Sequence, residues 1–377
     1  MSRPPVLNKS IKFSDNLVCA HELLLMAKNG TKGNSNEGRY ALPAFNVTTY
    51  DGIDAAIEAF ETLGASGILA FSNSAAKHFG RGDACEGLER ASQYVTMRAK
   101  KSSVKIATHF DHGDYISEGG RKVLDKAMET LTSVMADNST DHANKKPTDL
   151  AQNIEATREV VDKSHPKGLS VEGELGVLAG EEDEDTKSDF STYTDPQELK
   201  QFLEQTGVLM LAPTIGTMHG PNKGRPGTKV KLNIELANEC LKIADAINSD
   251  ILFVAHGAST LYPNVVEHAA IQLEKMGDLA PAAQTWRDFV GTDWDQIAGL
   301  VENGFCKINT DTENRQTYLA CLLEAVRNNP AKIDIRFFEK KTYEGLVKSY
   351  IQKLIMAKNI GVWHAPKIDV NNFNFQL

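Results

Sequence analysis

The chain has 377 residues, of which 41% are hydrophobic and 24% are charged, and its formal net charge is -9. This composition supplies enough apolar mass for a large core in one or two domains. The negative charge argues against nucleic acid or an anionic membrane surface as the main partner. Five cysteines without a Cys-x-x-Cys pair favour a reducing compartment and disfavour a sulfur-ligated metal. Because the N-terminus lacks an apolar signal core and no apolar run approaches the ~20 residues that span a bilayer, we expect a cytoplasmic protein without a membrane segment.

Short apolar runs that read as strands alternate with helical periodicity along most of the chain. The predicted strands cover residues 41–45, 67–71, 104–108, 132–135, 169–174, 208–212, 251–255 and 305–308. The clearest helix start is Asp195-Pro196, where a capping side chain precedes proline at the first helical position. One amphipathic helix candidate, Cys19 to Ala27, precedes the first strand, and a helical arm from Tyr343 to Ala357 follows the last.

Eight apolar strands alternating with helices predict an α/β fold of the closed (β/α)8 TIM-barrel type. No break in composition divides the chain, so we expect a single domain with a leader over residues 1–39, a barrel over 40–330 and a C-terminal helical arm over 331–377. A doubly wound open sheet is the alternative. The sequence has no Gly-x-Gly-x-x-Gly after a strand, so the dinucleotide fingerprint that would favour the open sheet is missing.

Polar residues follow the predicted strands, at the end of a barrel where chemistry is found. They include Asn46, Ser72, Asp111, His112, Asp137, Glu172, Glu174, His219, His256, Asn309 and Asp311. Three histidines from three strand ends, with carboxylates nearby, suit a catalytic Zn²⁺ with an open coordination position. Co²⁺ and Fe²⁺ can use the same ligands. A lone histidine in a loop is more often a hydrogen-bonded surface residue, which is how we interpret His78 and His268.

The segment Leu169 to Gly176 alternates so that Glu172 and Glu174 point to one face of a strand. Two inward carboxylates require a cationic group opposite them. Asp111 beside His112 either orients that histidine or acts as an acid/base. The acidic run that begins at Glu181 is either a solvated charge run or an extension of this site.

Small residues follow the sixth and seventh strands, at Gly220 and at Gly257-Ala258-Ser259. They let backbone N–H groups and a hydroxyl approach an anion, although ordinary turn chemistry uses the same residues. A pair of such turns at neighbouring late strands is where barrel enzymes often bind phosphate.

Five motifs in order resemble those of the class II, metal-dependent fructose-bisphosphate aldolases, from about Tyr40 to Arg336. They are Pro43 to Asn46, Asp111 to Gly113, Glu172 to Gly176 with Glu181 to Asp183, the His-Gly pairs at His219 and His256, and Lys307 to Thr312. The resemblance implies a zinc-dependent (β/α)8 lyase of glycolysis and gluconeogenesis that forms a homodimer or homotetramer. It would split fructose 1,6-bisphosphate into dihydroxyacetone phosphate and glyceraldehyde 3-phosphate.

The resemblance also implies roles for individual residues. The ligands of the catalytic zinc would be His112, His219 and His256, and a second metal ion could use Asp137 and Glu174. Asp111 would be the acid/base at the C4 hydroxyl, and Glu182 the mobile proton carrier at the dihydroxyacetone phosphate carbon. Substrate and phosphate contacts would be Asn46, Ser72, Gly220, Gly257, Ala258, Ser259, Asn309, Thr310, Asp311 and Thr312. Arg336 would reach the far phosphate across a subunit interface, and backbone oxygens near the two His-Gly pairs would hold Na⁺ or K⁺.

The chain departs from the family pattern in the phosphate loop and in an insert. The usual Gly-Gly-Ser-Gly reads Gly257-Ala258-Ser259-Thr260, and residues 261–301 exceed the compact family members in length. Three other functions remain as alternatives. They are a tagatose-bisphosphate aldolase, which the Asn309-x-Asp311 pattern disfavours, a Schiff-base enzyme using Lys307 as nucleophile, and a non-catalytic metal-binding paralogue. The structural alternative for Lys307 is a buried lysine that forms an ion pair with a carboxylate.

Overall fold

A computed structural model of the chain describes residues 15–30, 38–141, 146–177, 180–181, 187–188, 192–220, 223 and 230–377. Its centre is a closed barrel in which every strand pairs in parallel with its neighbours in chain order, and the eighth pairs with the first. The strands are β1 Leu42–Asn46, β2 Gly67–Phe71, β3 Ile106–Gly113, β4 Ser133–Ala136, β5 Ser170–Leu175, β6 Met210–Pro213, β7 Leu252–Ala255 and β8 Phe305–Thr310. The predicted barrel is therefore confirmed and the open-sheet alternative is wrong.

Helices surround the barrel. They are α1 Ala20–Asn29, α2 Tyr50–Leu63, α3 Asn73–Phe79, α4 Ala84–Ala99, α5 Glu118–Thr130, α6 Leu150–Ser164, α7 Pro196–Thr206, α8 Ile234–Ile247, α9 Pro263–Glu274, α10 Ala280–Arg287, α11 Trp294–Asn303, α12 Thr312–Asn328 and α13 Ile335–Met356. The start of α7 is as predicted, because the Asp195 side chain accepts hydrogen bonds from the N–H groups of Gln197 and Glu198. In the described part of the chain, none of these helices is both long and apolar enough to cross a membrane.

Burial of the strands on both faces explains their nearly continuous apolar runs. Every residue of β2, Gly67–Phe71, is buried, as is every residue of β8. Parallel strands that are covered by helices on the outside and by side chains within the barrel have nearly continuous apolar sequences. The polar residues in the barrel strands are therefore exceptions that need a reason, and half of them lie near the carboxyl ends: Asn46, Asp111, His112, Glu174, Asn309 and Thr310.

Helix α1 covers the opposite, amino-terminal end of the barrel. The Lys28 ammonium donates hydrogen bonds to the carbonyls of Ser249 and Ile251, just before β7. His21 contacts the Asp250 carbonyl at 2.9 Å. With that end covered by the leader helix, the carboxyl ends of the strands are left for the site.

Two predicted boundaries differ from the structure by five residues or more. β3 extends to Gly113 rather than ending at residue 108, because Asp111 and His112 are polar residues of the strand itself. Helix α13 begins at Ile335, eight residues before the predicted start of the arm at Tyr343. The hydrophobic periodicity of the sequence does not report which polar residues tertiary structure buries, so it could not predict these boundaries.

Candidate active site

Three histidines meet at the carboxyl end of the barrel. His112 ends β3, His256 follows β7, and His219 lies in the loop after β6. Their ring centroids are 4.6 Å apart for His112 and His256, 5.1 Å for His112 and His219, and 6.1 Å for His219 and His256. One ring nitrogen of each lies within 4.8 Å of those of the other two. Spacing of this kind suits three ligands of one metal ion.

The two nitrogens of His256 are in different environments. Nε2 lies 2.8 Å from Glu172 Oε1. Nδ1 is buried and makes no hydrogen bond within the described residues, although Glu174 Oε2 is 3.3 Å away. A carboxylate at one ring nitrogen fixes the tautomer and leaves the lone pair of the other for a metal. Burial disfavours the imidazolium, but Glu172 and Glu174 outweigh burial and raise the pKa of His256 to about 10. The residues therefore fit a bound cation.

His112 is held by a second carboxylate. Its Nδ1 lies 2.8 Å from Asp137 Oδ2 and 3.6 Å from Glu174 Oε2. Asp137 is fixed in turn by the Ser139 hydroxyl, which donates to its Oδ1 at 2.7 Å. The φ angle of His112 is 51°, a left-handed conformation that costs free energy in a residue with a Cβ. His112, Asp137 and Glu174 form a second group of potential ligands, so two possible metal positions share His112.

A buried ion pair lies beneath the histidines. Lys307 Nζ is 2.8 Å from Glu172 Oε2, and neither side chain is exposed. Burial alone raises the pKa of Glu172, but Lys307 and His109 outweigh it and lower that pKa to about 2. Glu172 thus connects Lys307 with His256. The geometry favours the paired-lysine interpretation of Lys307 over the Schiff-base alternative.

Asp111 is a buried carboxylate fixed by two amides. The Asn46 side chain donates to its Oδ2 at 3.0 Å, and the Asn309 side chain donates to its Oδ1 at 2.9 Å. Burial raises the pKa of this carboxyl, but the positive charges of His112 and Lys307 outweigh burial and hold the pKa well below its ordinary range. Asp111 is therefore an ionised carboxylate, held in one orientation, close to the three histidines.

These groups open into a pocket of about 380 Å³. Asp111, His112 and His219 line its metal side, and Gly220, Gly257 and Ser259 line the side next to the β6 and β7 loops. The rim residues are Trp286 and Phe289 from the insert and Arg315, Gln316 and Leu319 from α12. A larger pocket, of about 620 Å³, lies between residues 260–264 and the C-terminal tail and is lined by none of the three histidines.

The altered phosphate loop does not narrow the active-site pocket. Gly257 has a φ of 60°, and a Cβ there would lie 2.4 Å from the Met218 carbonyl oxygen, so only glycine fits. The methyl group of Ala258 is fully buried in the hydrophobic core. The Thr260 hydroxyl accepts a hydrogen bond from Lys353 at 2.7 Å, on the far side of the loop. Neither Ala258 nor Thr260 lines the 380 Å³ pocket.

The other predicted contact residues divide between the pocket and its surroundings. Asn46, Asn309, Thr310, Asp311 and Thr312 line the pocket. Ser72 does not line it, and its hydroxyl caps α3. The Arg336 side chain is 86% exposed and is paired with Asp334. Glu182 lies outside the described residues.

Sequence reasoning missed three groups in this region. Arg315 lies on the pocket rim and its Nε is 2.9 Å from Asp311 Oδ1. Lys223 is buried against the β7 loop and lines the 380 Å³ pocket, and Lys353 is buried against Glu313. The helical spacing of Asp311 and Arg315, four residues apart, was a usable signal for the first. No local pattern marks the two lysines.

Comparison with known proteins decides the family. The sequence model described as fructose-bisphosphate aldolase class-II matches residues 32–361. The chain belongs to this family. It is 30% identical to the fructose-bisphosphate aldolase of Thermus caldophilus over 322 residues, which cover 85% of this chain and 92% of that one. It is also 30% identical to the Giardia intestinalis fructose-bisphosphate aldolase, over 85% of this chain and 89% of that one.

Solved structures share the architecture. The fructose-bisphosphate aldolase of Campylobacter jejuni superposes with a TM-score of 0.66 at 22% identity, over 92% of this chain and 96% of that one. An aldolase from Escherichia coli K12 gives a TM-score of 0.64 at 24% identity, over 92% and 98%. At these identities the likeness shows the barrel fold alone. The family match makes the protein a class II aldolase, a carbon–carbon lyase of a family that is generally metal-dependent and acts on phosphosugars.

Proposed function

We propose that this aldolase uses zinc to cleave fructose 1,6-bisphosphate reversibly into dihydroxyacetone phosphate and glyceraldehyde 3-phosphate. The observation that carries the proposal is that one ring nitrogen each of His112, His219 and His256 lies within 4.8 Å of the others, with the Nδ1 of His256 buried and without a hydrogen bond among the described residues. Relatives named fructose-bisphosphate aldolase, 30% identical over most of the chain, support the substrate. The proposed setting is cytoplasmic glycolysis and gluconeogenesis.

The ligands of the proposed zinc are His112, His219 and His256, and Asp137 and Glu174 are the additional ligands of a second ion. A divalent ion held there supplies Lewis-acid polarisation of the ketose carbonyl. Glu172 keeps His256 in the tautomer that presents Nδ1.

Proton transfer is proposed for two carboxylates. Asp111, held by Asn46 and Asn309, removes the proton from the C4 hydroxyl as the carbon–carbon bond breaks. Glu182 moves the proton at the dihydroxyacetone phosphate carbon. We expect Glu182→Ala to retain zinc and to lose most turnover, and loss of zinc from that variant would contradict this division of roles.

The phosphates are proposed to bind at opposite ends of the pocket. Backbone N–H groups of the loop around Ser259 donate hydrogen bonds to one phosphate. Arg315, on the pocket rim, contributes a positive charge at the other end. Arg336 is proposed to reach the far phosphate of a second copy in a homodimer or homotetramer. The exposure of Ile333 at 94% and of Ile335 at 67%, both beside Arg336, supports burial of this region against another subunit.

The proposed organisation of the chain is a single domain. It comprises a leader over residues 1–39, the barrel over 40–330 and a C-terminal helical arm over 331–377. The contacts of α13 with α2 and α12 support inclusion of the arm in the same domain.

A cleavage assay with metal removal tests the proposal. Fructose 1,6-bisphosphate should be cleaved by the purified protein, activity should disappear with a chelator, and zinc should restore it better than Co²⁺ or Fe²⁺. Tagatose 1,6-bisphosphate measured in parallel should be the poorer substrate. Comparable or better rates on tagatose would overturn the substrate, and bound zinc without cleavage in folded protein would favour the non-catalytic alternative. Borohydride trapping of a substrate adduct in chelator-treated protein would instead support chemistry at Lys307.

A further inference from the structure

Lys223 lines the active-site pocket, and its ammonium group is buried against the phosphate loop, with only 2% of the residue exposed. Its Nζ donates hydrogen bonds to the carbonyl oxygens of Gly257 and Ser259, the latter at 3.1 Å, and to the Thr292 hydroxyl at 3.3 Å. An ammonium group has three N–H donors and no acceptor. We call these three oxygen atoms the oxygen cage, and they use all three donors.

The oxygen cage consists of neutral groups. Among the described residues no carboxylate pairs with Lys223, whereas Lys307 pairs with Glu172 and Lys353 pairs with Glu313. Buried lysines normally have such a partner, because a lone buried charge is costly. Convergent carbonyl and hydroxyl oxygens are the ligands that dehydrated alkali cations prefer. The Lys223 site therefore resembles the coordination of a monovalent cation more than an ion pair.

We propose that the Lys223 side chain occupies the place of the Na⁺ or K⁺ that the family resemblance predicts, and that it positions the phosphate loop. The residues do not fit a free monovalent cation at the cage, because Lys223 already donates to its oxygens. Lys223 is thus a positioning residue that acts through Gly257 and Ser259, and the enzyme does not require an added monovalent cation.

The insert supplies the parts that hold Lys223 in place. The backbone N–H of Lys223 donates to the Val290 carbonyl at 3.2 Å. The Thr292 hydroxyl donates to the Gly257 carbonyl at 2.7 Å, and the Thr292 N–H donates to the Ser259 carbonyl at 3.0 Å. The segment that lengthens this chain relative to compact relatives therefore completes the oxygen cage. Its placement gives the insert a function in the active site.

Salt substitution on the wild-type protein is the first test. Activity on fructose 1,6-bisphosphate is measured in K⁺, Na⁺, NH₄⁺ or tetramethylammonium chloride at equal ionic strength, because tetramethylammonium is too large for the oxygen cage. The expected result is the same rate in all four salts. A clear activation by K⁺, Na⁺ or NH₄⁺ over tetramethylammonium would overturn the proposal.

Two substitutions at Lys223 give the second test. Lys223→Ala leaves space in the oxygen cage, whereas Lys223→Met fills that space with an uncharged side chain of similar length. In tetramethylammonium both should lower kcat/KM by about tenfold or more, because a displaced loop misplaces the reacting atoms. K⁺ or NH₄⁺ should restore much of the activity of Lys223→Ala, mainly through KM, and should not restore Lys223→Met. Lys275→Ala, at an exposed lysine, is the control for lysine removal as such.

A thermal measurement separates this inference from the proposed function on which its activity assay rests. The unfolding temperature of Lys223→Ala should be higher in K⁺ than in tetramethylammonium, because a cation that binds only the folded state stabilises it. The wild type should show no such difference. If the wild type cleaves no bisphosphate in any salt, the proposed function fails and the thermal comparison still tests the oxygen cage. A Lys223→Ala variant without activity recovery or thermal response to any cation would overturn the inference, as would one that keeps wild-type activity in tetramethylammonium.

Discussion

The proposed metal side of the pocket and its proposed phosphate side are built with opposite charges. On the metal side, carboxylates hold the histidines, with Glu172 on His256 and Asp137 on His112. On the phosphate side, buried ammonium groups hold the loop, with Lys223 on its carbonyl oxygens and Lys353 on Thr260. The net charge of -9 conceals this separation, because local charges decide what binds in a buried pocket.

The two sides also differ in how their buried charges are balanced. Lys307 on the metal side has a carboxylate partner at 2.8 Å. Lys223 on the phosphate side has only neutral oxygens. Removing one member of a buried ion pair leaves an uncompensated charge, whereas removing an unpaired charge relieves one. Removing the Glu172 charge and removing the Lys223 charge should therefore have opposite effects on stability, even where both lower activity.

The largest expected effect is loss of the proton acceptor on the metal side. Asp111→Asn should lower kcat by about 10²- to 10⁴-fold, because an amide cannot take the proton from the substrate hydroxyl. The three histidines are unchanged, so metal content should stay at the wild-type level. Steady-state kinetics with metal analysis of the same samples checks both results. Asp278→Asn, at an exposed aspartate, is the matched control, and a rate for Asp111→Asn equal to that of the control would rule out this role.

Loss of Glu172 should weaken metal binding and the fold together. Glu172→Gln should lower metal affinity by about 10- to 100-fold, because His256 loses the carboxylate that orients it. The same change leaves Lys307 buried without a counter-charge, which should cost about 3–5 kcal/mol of unfolding free energy. The double variant Glu172→Gln with Lys307→Met should recover stability and not metal affinity. Metal titration and denaturant unfolding distinguish the two effects, and recovery of both would show that His256 needs no carboxylate.

The barrel was predictable from sequence because its signal is repeated along the chain. The prediction of the barrel depended on the number of apolar runs and not on the bounds of any one of them. Both bounds of β2, Gly67–Phe71, were nevertheless predicted correctly. β3 was shortened because Asp111 and His112 end the apolar pattern, although Asp111 is buried. Polarity marks the end of a strand only where the residue faces water. Where polar groups are buried at the carboxyl end of a strand, as Asp111 is, polarity no longer marks the end of the strand.

The metal side was more predictable than the phosphate side for a related reason. His112, His219 and His256 stand at equivalent places in the repeating unit, and Glu172 and Glu174 share a strand face, so position and residue type agree. Lys223 and Lys353 act from irregular or distant segments. Their contacts with the phosphate loop join residues 34 to 93 positions apart in sequence. Only the folded chain brings such pairs together.

The contrast in charge balance is tested by the stability of Lys223→Met. We expect this variant to unfold at higher temperature than the wild type, with a gain of about 1–3 kcal/mol at neutral pH, because an unpaired buried charge is removed. The carbonyl oxygens of Gly257 and Ser259 each keep a hydrogen bond from Thr292, so no buried acceptor loses its last donor. Increased stability with reduced activity is the combination expected at a functional site. A destabilised variant would show that Lys223 is mainly structural.

The pH dependence of that stability difference has a definite sign. Burial lowers the pKa of Lys223 from 10.5 to about 7, and Glu313 only partly opposes this effect. Between these values the unfolded chain binds a proton that the folded chain has released, so wild-type stability rises with pH. The advantage of Lys223→Met should therefore be largest below pH 7 and should shrink towards pH 10. A bound phosphate dianion favours the ammonium form, so substrate should increase the charge of Lys223 in the complex.

The smallest expected effect concerns the altered phosphate loop. Thr260→Val removes the hydroxyl that accepts from Lys353 and leaves Lys353 with Glu313. One buried hydrogen bond to a charged group is lost, so we expect a cost of about 1–3 kcal/mol in stability. The rise in KM should be small, because Thr260 lies on the far side of the loop from the pocket. Thr260→Ser keeps the hydroxyl and is the matched control. A large rise in KM for Thr260→Val, with an unchanged KM for Thr260→Ser, would show that Lys353 positions the loop as strongly as Lys223 does. A lysine paired with a carboxylate would then position residues on both sides of the pocket.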